Sequence, residues 1–69
     1  MKNAENMTHS EKIIAFLNEH KGQKFDDDEL SRILKIRPRQ QVYQRCREMA
    51  EDGIIKRGKV NGKLHNWVE

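Results

Sequence analysis

The chain predicts a small α+β domain, three helices followed by a C-terminal β-hairpin, and three observations carry that prediction. Apolar residues recur at helical spacing in three stretches, separated by Gly22, by a break from Lys35 to Pro38 and by Asp52-Gly53. An Asn61-Gly62 dipeptide then lies between two β-prone stretches, and a type I′ hairpin turn needs positive φ at both of its central residues. Finally, 69 residues hold one domain, 35% hydrophobic and 36% charged, so a core of roughly twenty apolar side chains must suffice.

Taken in order, residues 1–7 are polar and aperiodic and are expected to fray, leaving one domain over residues 8–69. Thr8 and Glu11 fit a capping box, with Ser10 as a rival cap. Ile13, Ile14, Phe16, Leu17 and His20 then form the stripe of a first helix over about residues 9–20, stopped by Gly22. Gln23 to Phe25 are enough for a connector or a single strand pairing, with Phe25 in the core. Asp26 is a good N-cap, and Asp27, Asp28 and Glu29 fill the first turn, where the helix dipole favours anions. The acidic run is thus explained as a helix start, and Leu30, Ile33 and Leu34 are the expected buried stripe of a second helix over 27–34. Pro38 cannot continue that helix but suits the first turn of a third, over 38–51, with Val42, Cys46, Met49 and Ala50 inward. The hairpin strands are expected at 54–57 and 64–68; Leu64 and Trp67 differ in parity, which leaves the buried face of the last strand open.

Charge is unevenly distributed. The chain carries a formal +3, but residues 1–34 hold five Lys/Arg against seven Asp/Glu, and residues 35–69 hold nine against four. A basic C-terminal half suggests an acidic partner, nucleic acid first. A single cysteine excludes an internal disulfide and a cysteine-based zinc site. Cys46 falls within an apolar stripe, as a small core residue does. The longest apolar run, Ile13 to Leu17, is far short of a membrane span or a signal-peptide core, so a cytoplasmic location is expected. His9, His20 and His65 lie on three elements with no cysteine or carboxylate pair at ligand spacing beside them, so no metal is expected. No phosphate loop or nucleophile set stands out, and the chain is expected to be neither an enzyme nor a binder of cofactor, small molecule or membrane.

The order of these elements resembles the winged helix-turn-helix family. The stretch from Ile36 to Arg57 is similar to that family's recognition helix running into its first wing strand. Val42, Cys46, Met49, Asp52-Gly53-Ile54-Ile55 and Arg57 occupy the places of its valine, its two apolar positions and its acidic-Gly-Leu-Ile-x-Arg pattern, with Asn61-Gly62 at the wing tip. The resemblance covers residues 9–68. It does not extend to the winged helices that bind left-handed Z-form nucleic acid: Tyr43 and Arg47 stand where those carry Asn and Tyr, and their paired wing prolines are missing.

The face of the third helix away from Val42 holds Arg39, Gln40, Tyr43, Gln44 and Arg47, with no acid among them. Arg reads guanine and Gln reads adenine through bidentate bonds in the major groove. The resemblance implies bases for Gln40, Tyr43 and Gln44, and bases or phosphates for Arg39 and Arg47. Lys35, Arg37 and Arg39 crowd a helix N-terminus whose dipole disfavours cations, and a phosphate would supply the missing anion. Glu51 and Asp52, equally misplaced at the other end of that helix, weaken this argument. Lys56, Arg57, Lys59, Asn61 and Lys63 complete the expected DNA-binding set on the wing, which in the family touches backbone or minor groove. Six or so neutralised phosphates imply a log–log salt slope on the order of −5.

The expectation is therefore sequence-specific binding of double-stranded DNA, by a small transcriptional regulator or a module of a DNA-processing protein, with homodimer or larger assembly open. The competing expectation is a protein-interaction winged helix that binds an acidic partner. Such a face should carry an exposed anchor cluster, and Tyr43 is the only aromatic there. Single-stranded DNA or RNA would call for more stacking aromatics than Tyr43 and Trp67.

Overall fold

A computed structural model describes residues 7–69 as an α+β domain of three helices and a three-stranded antiparallel sheet. The expected fraying of the N-terminus falls on residues 1–6, outside the described residues; Met7 is half-buried. Helix α1 runs His9–Glu19, strand β1 Phe25–Asp26, helix α2 Asp27–Leu34, helix α3 Arg39–Glu51, and strands β2 and β3 Lys56–Val60 and Lys63–Trp67.

Local chemistry sets the helix starts. Thr8, not Ser10, caps α1: its hydroxyl accepts from the Glu11 amide at 3.1 Å and Glu11 accepts from the Thr8 amide at 2.9 Å. Asp26 and Glu29 close the same box on α2 at 2.8 and 2.9 Å. Pro38 sits one place earlier than expected. It is the N-cap of α3, after a cis Arg37–Pro38 bond, and gives no side-chain cap bond.

The α2–α3 turn is closed differently from the other turns. Lys35 holds a left-handed φ of 56°, the Ile36 amide donates to Ser31 O at 3.0 Å, and Ser31 Oγ donates to Ile36 O at 2.7 Å. With these two hydrogen bonds holding the turn, Ile36 points inward and is fully buried.

The core comprises Ile13 and Leu17 of α1, Leu30 of α2, Ile36, the Val42, Cys46 and Met49 stripe of α3, and Ile55. Burial of each large side chain contributes about 1.5–3 kcal/mol, and truncating one to Ala costs about 2–5, a large part of the ~5–15 kcal/mol that holds a domain together. Ile33 does not join the core: it is 47% exposed, because α2 meets its neighbours through Leu30 and Leu34, whose shared face it lies beside.

Strand β3 lies between β1 and β2. The Asn61-Gly62 turn has φ of 53° and 80°, as a two-residue hairpin of the expected type requires. Both strands differ from expectation. Ile54 and Ile55 precede β2 as bends, and Gly58 to Val60 and Lys63 pair up to the turn. Neither Leu64 nor Trp67 is the buried residue of β3. Asn66 is, at 0% exposure, because β3 is the central strand and Asn66 faces the helices. Trp67 lies on the other face, over Gly58, with Lys24 Nζ 4.5 Å from its ring.

Candidate nucleic-acid interface

The register puts Arg57, Asn66 and Phe25 in one row across the sheet. Directly opposite residues share a face, so Arg57 and Asn66 are turned toward the start of α2 together. There Arg57 grips Asp27 with both arms, Nη1 donating to Oδ1 at 2.8 Å and Nη2 to Oδ2 at 3.0 Å. Asn66 completes the cluster. Its Oδ1 accepts from Arg57 at 2.6 Å, and its Nδ2 donates to Asp27 Oδ1 at 2.9 Å and to Phe25 O at 3.1 Å. The Arg57 side chain is only 7% exposed and that of Asp27 15%. Among the described residues no buried side-chain nitrogen or oxygen lacks a partner.

Arg57 was expected to reach DNA, and its position is different: it is a clasp between β2, β3 and α2. Its guanidinium also lies 5.2 Å from the centre of the Tyr43 ring, within cation–π range, which braces α3 against the same cluster. Burial pushes the Asp27 carboxyl pKa up. Hydrogen bonds from Arg57 and Asn66, with the Arg57 charge, outweigh that and hold it below the ordinary 3.8.

A second, exposed set of charges lies beside the clasp. Arg39, the first residue of α3, donates from Nη1 to Asp28 at 3.1 Å. Lys63, at the hairpin tip, places its ammonium 3.5 Å from Asp28 and 3.4 Å from Asp26. The start of α3 and the tip of the hairpin therefore meet across one acidic helix start. Burial raises the Asp26 pKa, but the Glu29 amide, the Lys63 hydrogen bond and charge, and the His65 charge leave it lowered. The acidic run is thus more than a helix start, since each of its three aspartates pairs with a cation from another element.

The other expected contact residues divide by place. Gln40 and Tyr43 line a concavity with Arg39 and Asp27, and Tyr43 is 41% exposed. Gln44 and Arg47 are exposed on the same helical face, although Arg47 Nε donates to Glu51 at 3.2 Å, so that face is less free of acid than its own sequence suggests. Arg37 lines a concavity together with Asp28 and Lys63. Lys59 shares the sheet face of Arg57 two pairs nearer the tip, and Asn61 forms the turn itself. Lys56 stands apart, at the base of the hairpin among Asn18, Lys21 and Glu69.

Sequence reasoning missed Asp27 and Asn66 as partners in the clasp beneath this surface, and Asp28 as a partner of its exposed cations. The aspartates were already accounted for as helix caps, and a lone Asn in a strand carries no signal until its neighbours across the sheet are known. The fold also brings together groups that are far apart in sequence. His65 comes next to Asp26 and Glu29, with ligand-type atoms of all three within 4.8 Å of one another. Both carboxylates already accept backbone hydrogen bonds in the capping box, and Lys63 stands on Asp26. Cys46 is buried, and burial pushes its thiol up to about 12, which removes the thiolate that reactivity needs.

No helix among the described residues is long and apolar enough to cross a membrane. Comparison of the chain with known protein families, with curated proteins and with solved structures finds no match in any of the three.

Proposed function

We propose that the chain is a winged helix-turn-helix domain that binds double-stranded DNA, as a small transcriptional regulator or a module of a DNA-processing protein. The observation that carries this reading is the shared use of Asp28 by Arg39 and Lys63, which sets the N-terminus of α3 and the hairpin tip side by side. A helix end and a hairpin tip so placed can straddle one groove edge. Gln40, Tyr43 and Gln44 would meet bases in the major groove, and Arg37, Lys59 and Lys63 would meet phosphates, with Arg39 and Arg47 available to either. Asp26 and Asp28 hold the cations in place in the free protein and yield them to phosphate on binding.

Arg57 and Lys56 leave the contact set, so about four phosphates are in reach and the expected log–log salt slope is about −4, shallower than the sequence alone implied. Amide NMR titration with a mixed-sequence duplex tests the reading. Salt-sensitive shifts should map to Arg37–Arg47 and Lys59–Lys63 and spare Lys56. No shift even at low salt would overturn it and turn the search to an acidic protein partner, by pull-down with the same surface as bait.

A further inference from the structure

Apart from the residues of that surface, α1 and α2 leave an apolar groove of about 450 Å³. It is lined by Ala15 and Phe16 of α1 and Ile33 and Leu34 of α2, with Met7 at one end. Ile33, nearly half exposed, is its most open apolar residue. Among the described residues, Lys12 and Glu19 are the only charged ones along it. Residues 12, 15, 16 and 19 form one stripe of α1, with the two charges seven residues apart and centred on Ala15–Phe16.

We propose that this groove is the contact face of a two-fold homodimer in which α1 packs antiparallel against α1 of a second copy. A two-fold axis through Ala15–Phe16 brings each Lys12 opposite the other copy's Glu19, so one patch supplies two complementary ion pairs. Self-complementarity of this kind is what an isologous interface requires. Ala15 at the crossing lets the helices approach closely, and Ile33 of each copy is covered by the other. A second feature of α1 agrees. Lys12 lies in the N-terminal half and Glu19 in the last turn, so both charges oppose the helix dipole. Neither belongs to an ion pair among the described residues, and a second copy in the antiparallel sense pairs both. None of the groove residues belongs to α3 or to the hairpin, so the dimer leaves the proposed DNA surface open, and its existence does not depend on DNA.

The helix is short, about 16 Å, and the contact falls below the ~800 Å² per partner of a standard interface, so the dimer is expected to be weak. The test is analytical ultracentrifugation of the full chain without DNA, from about 10 μM to about 1 mM at low salt. Wild type should shift from monomer toward dimer across that range. Lys12→Glu and Glu19→Lys should each stay monomeric, because each creates two like-charge contacts. Mixed in equal amounts, the two variants should dimerise again, since in the mixed pair both contacts are opposite in charge. The double variant K12E/E19K should also dimerise, and Ile33→Ser should not. Circular dichroism of each variant checks that the helices remain. A wild type that stays monomeric at the highest concentration overturns the proposal. So does a wild-type dimer whose single variants still dimerise, or whose mixed variants fail to associate.

Discussion

Asp27 and Asp28 are neighbours at the start of α2, yet they belong to two different kinds of charge cluster. Asp27 points under the sheet, where Arg57 and Asn66 satisfy both of its oxygens out of solvent. Asp28 points outward, where Arg39 and Lys63 hold it by single contacts among side chains that are 42–64% exposed. In the first cluster the geometry is over-determined and water is excluded, so removing one partner strands the others. In the second, water and salt replace any partner at little cost, so the contacts are available for exchange. Similar residues at adjacent positions thus divide into a structural clasp and a labile rim, and burial alone makes the difference.

The largest expected effect breaks the clasp. Arg57→Ala should lower unfolding free energy by about 3 kcal/mol, because it leaves the Asp27 carboxylate and Asn66 enclosed without their partner. Urea denaturation measures this, and a loss under about 1 kcal/mol would place Arg57 with the rim instead. The next effect is acid sensitivity. Asp26 and Asp27 have folded pKa values below the ordinary 3.8. Their contribution to stability is therefore complete above that value and is lost as pH falls through the lowered folded values. Denaturation midpoints at about pH 7 and about pH 2.5 should differ, and the difference should shrink in Asp27→Asn.

The rim gives smaller numbers of the opposite kind. Asp28→Asn should change stability by less than about 1 kcal/mol but release Arg39 and Lys63 toward phosphate, strengthening duplex binding roughly two- to fivefold at low salt. Fluorescence anisotropy reads the change, and weaker binding would mean that Asp28 orients these cations rather than competing for them. The smallest effect is a control outside both clusters. Lys35 adopts a left-handed φ. Lys35→Gly should therefore raise stability by up to about 1 kcal/mol, visible as a modest increase in Tm.

Much of the fold was legible because its signals are local. The capping boxes at Thr8–Glu11 and Asp26–Glu29, the three apolar stripes and the Asn61-Gly62 turn each depend on residues within a few positions of one another. Strand limits were less legible. The two-residue turn lets pairing run up to Val60 and Lys63, through glycine and lysine residues of low β-propensity. The candidate site was half legible. The exposed face of α3 follows from helical periodicity, and Tyr43, Gln44 and Arg39 lie where that periodicity puts them. Arg57 was assigned to the wrong environment because a cation beside a basic turn looks solvent-facing in sequence. Its partners lie 30 residues earlier, at Asp27, and 9 later, at Asn66.

By itself the sequence determined where helices begin and end, which positions of α3 face inward, and where the hairpin turns, since each choice is made by chemistry within one or two turns of chain. Only the tertiary structure decided which charges are spent inside the molecule and which remain on its surface. That depends on β3 lying between β1 and β2 and on the row that brings Phe25, Asn66 and Arg57 together under α2. Contacts between residues 30 to 41 positions apart leave no periodicity in the chain, and the strength of an ion pair is set by the water around it, which exists only once the fold has formed.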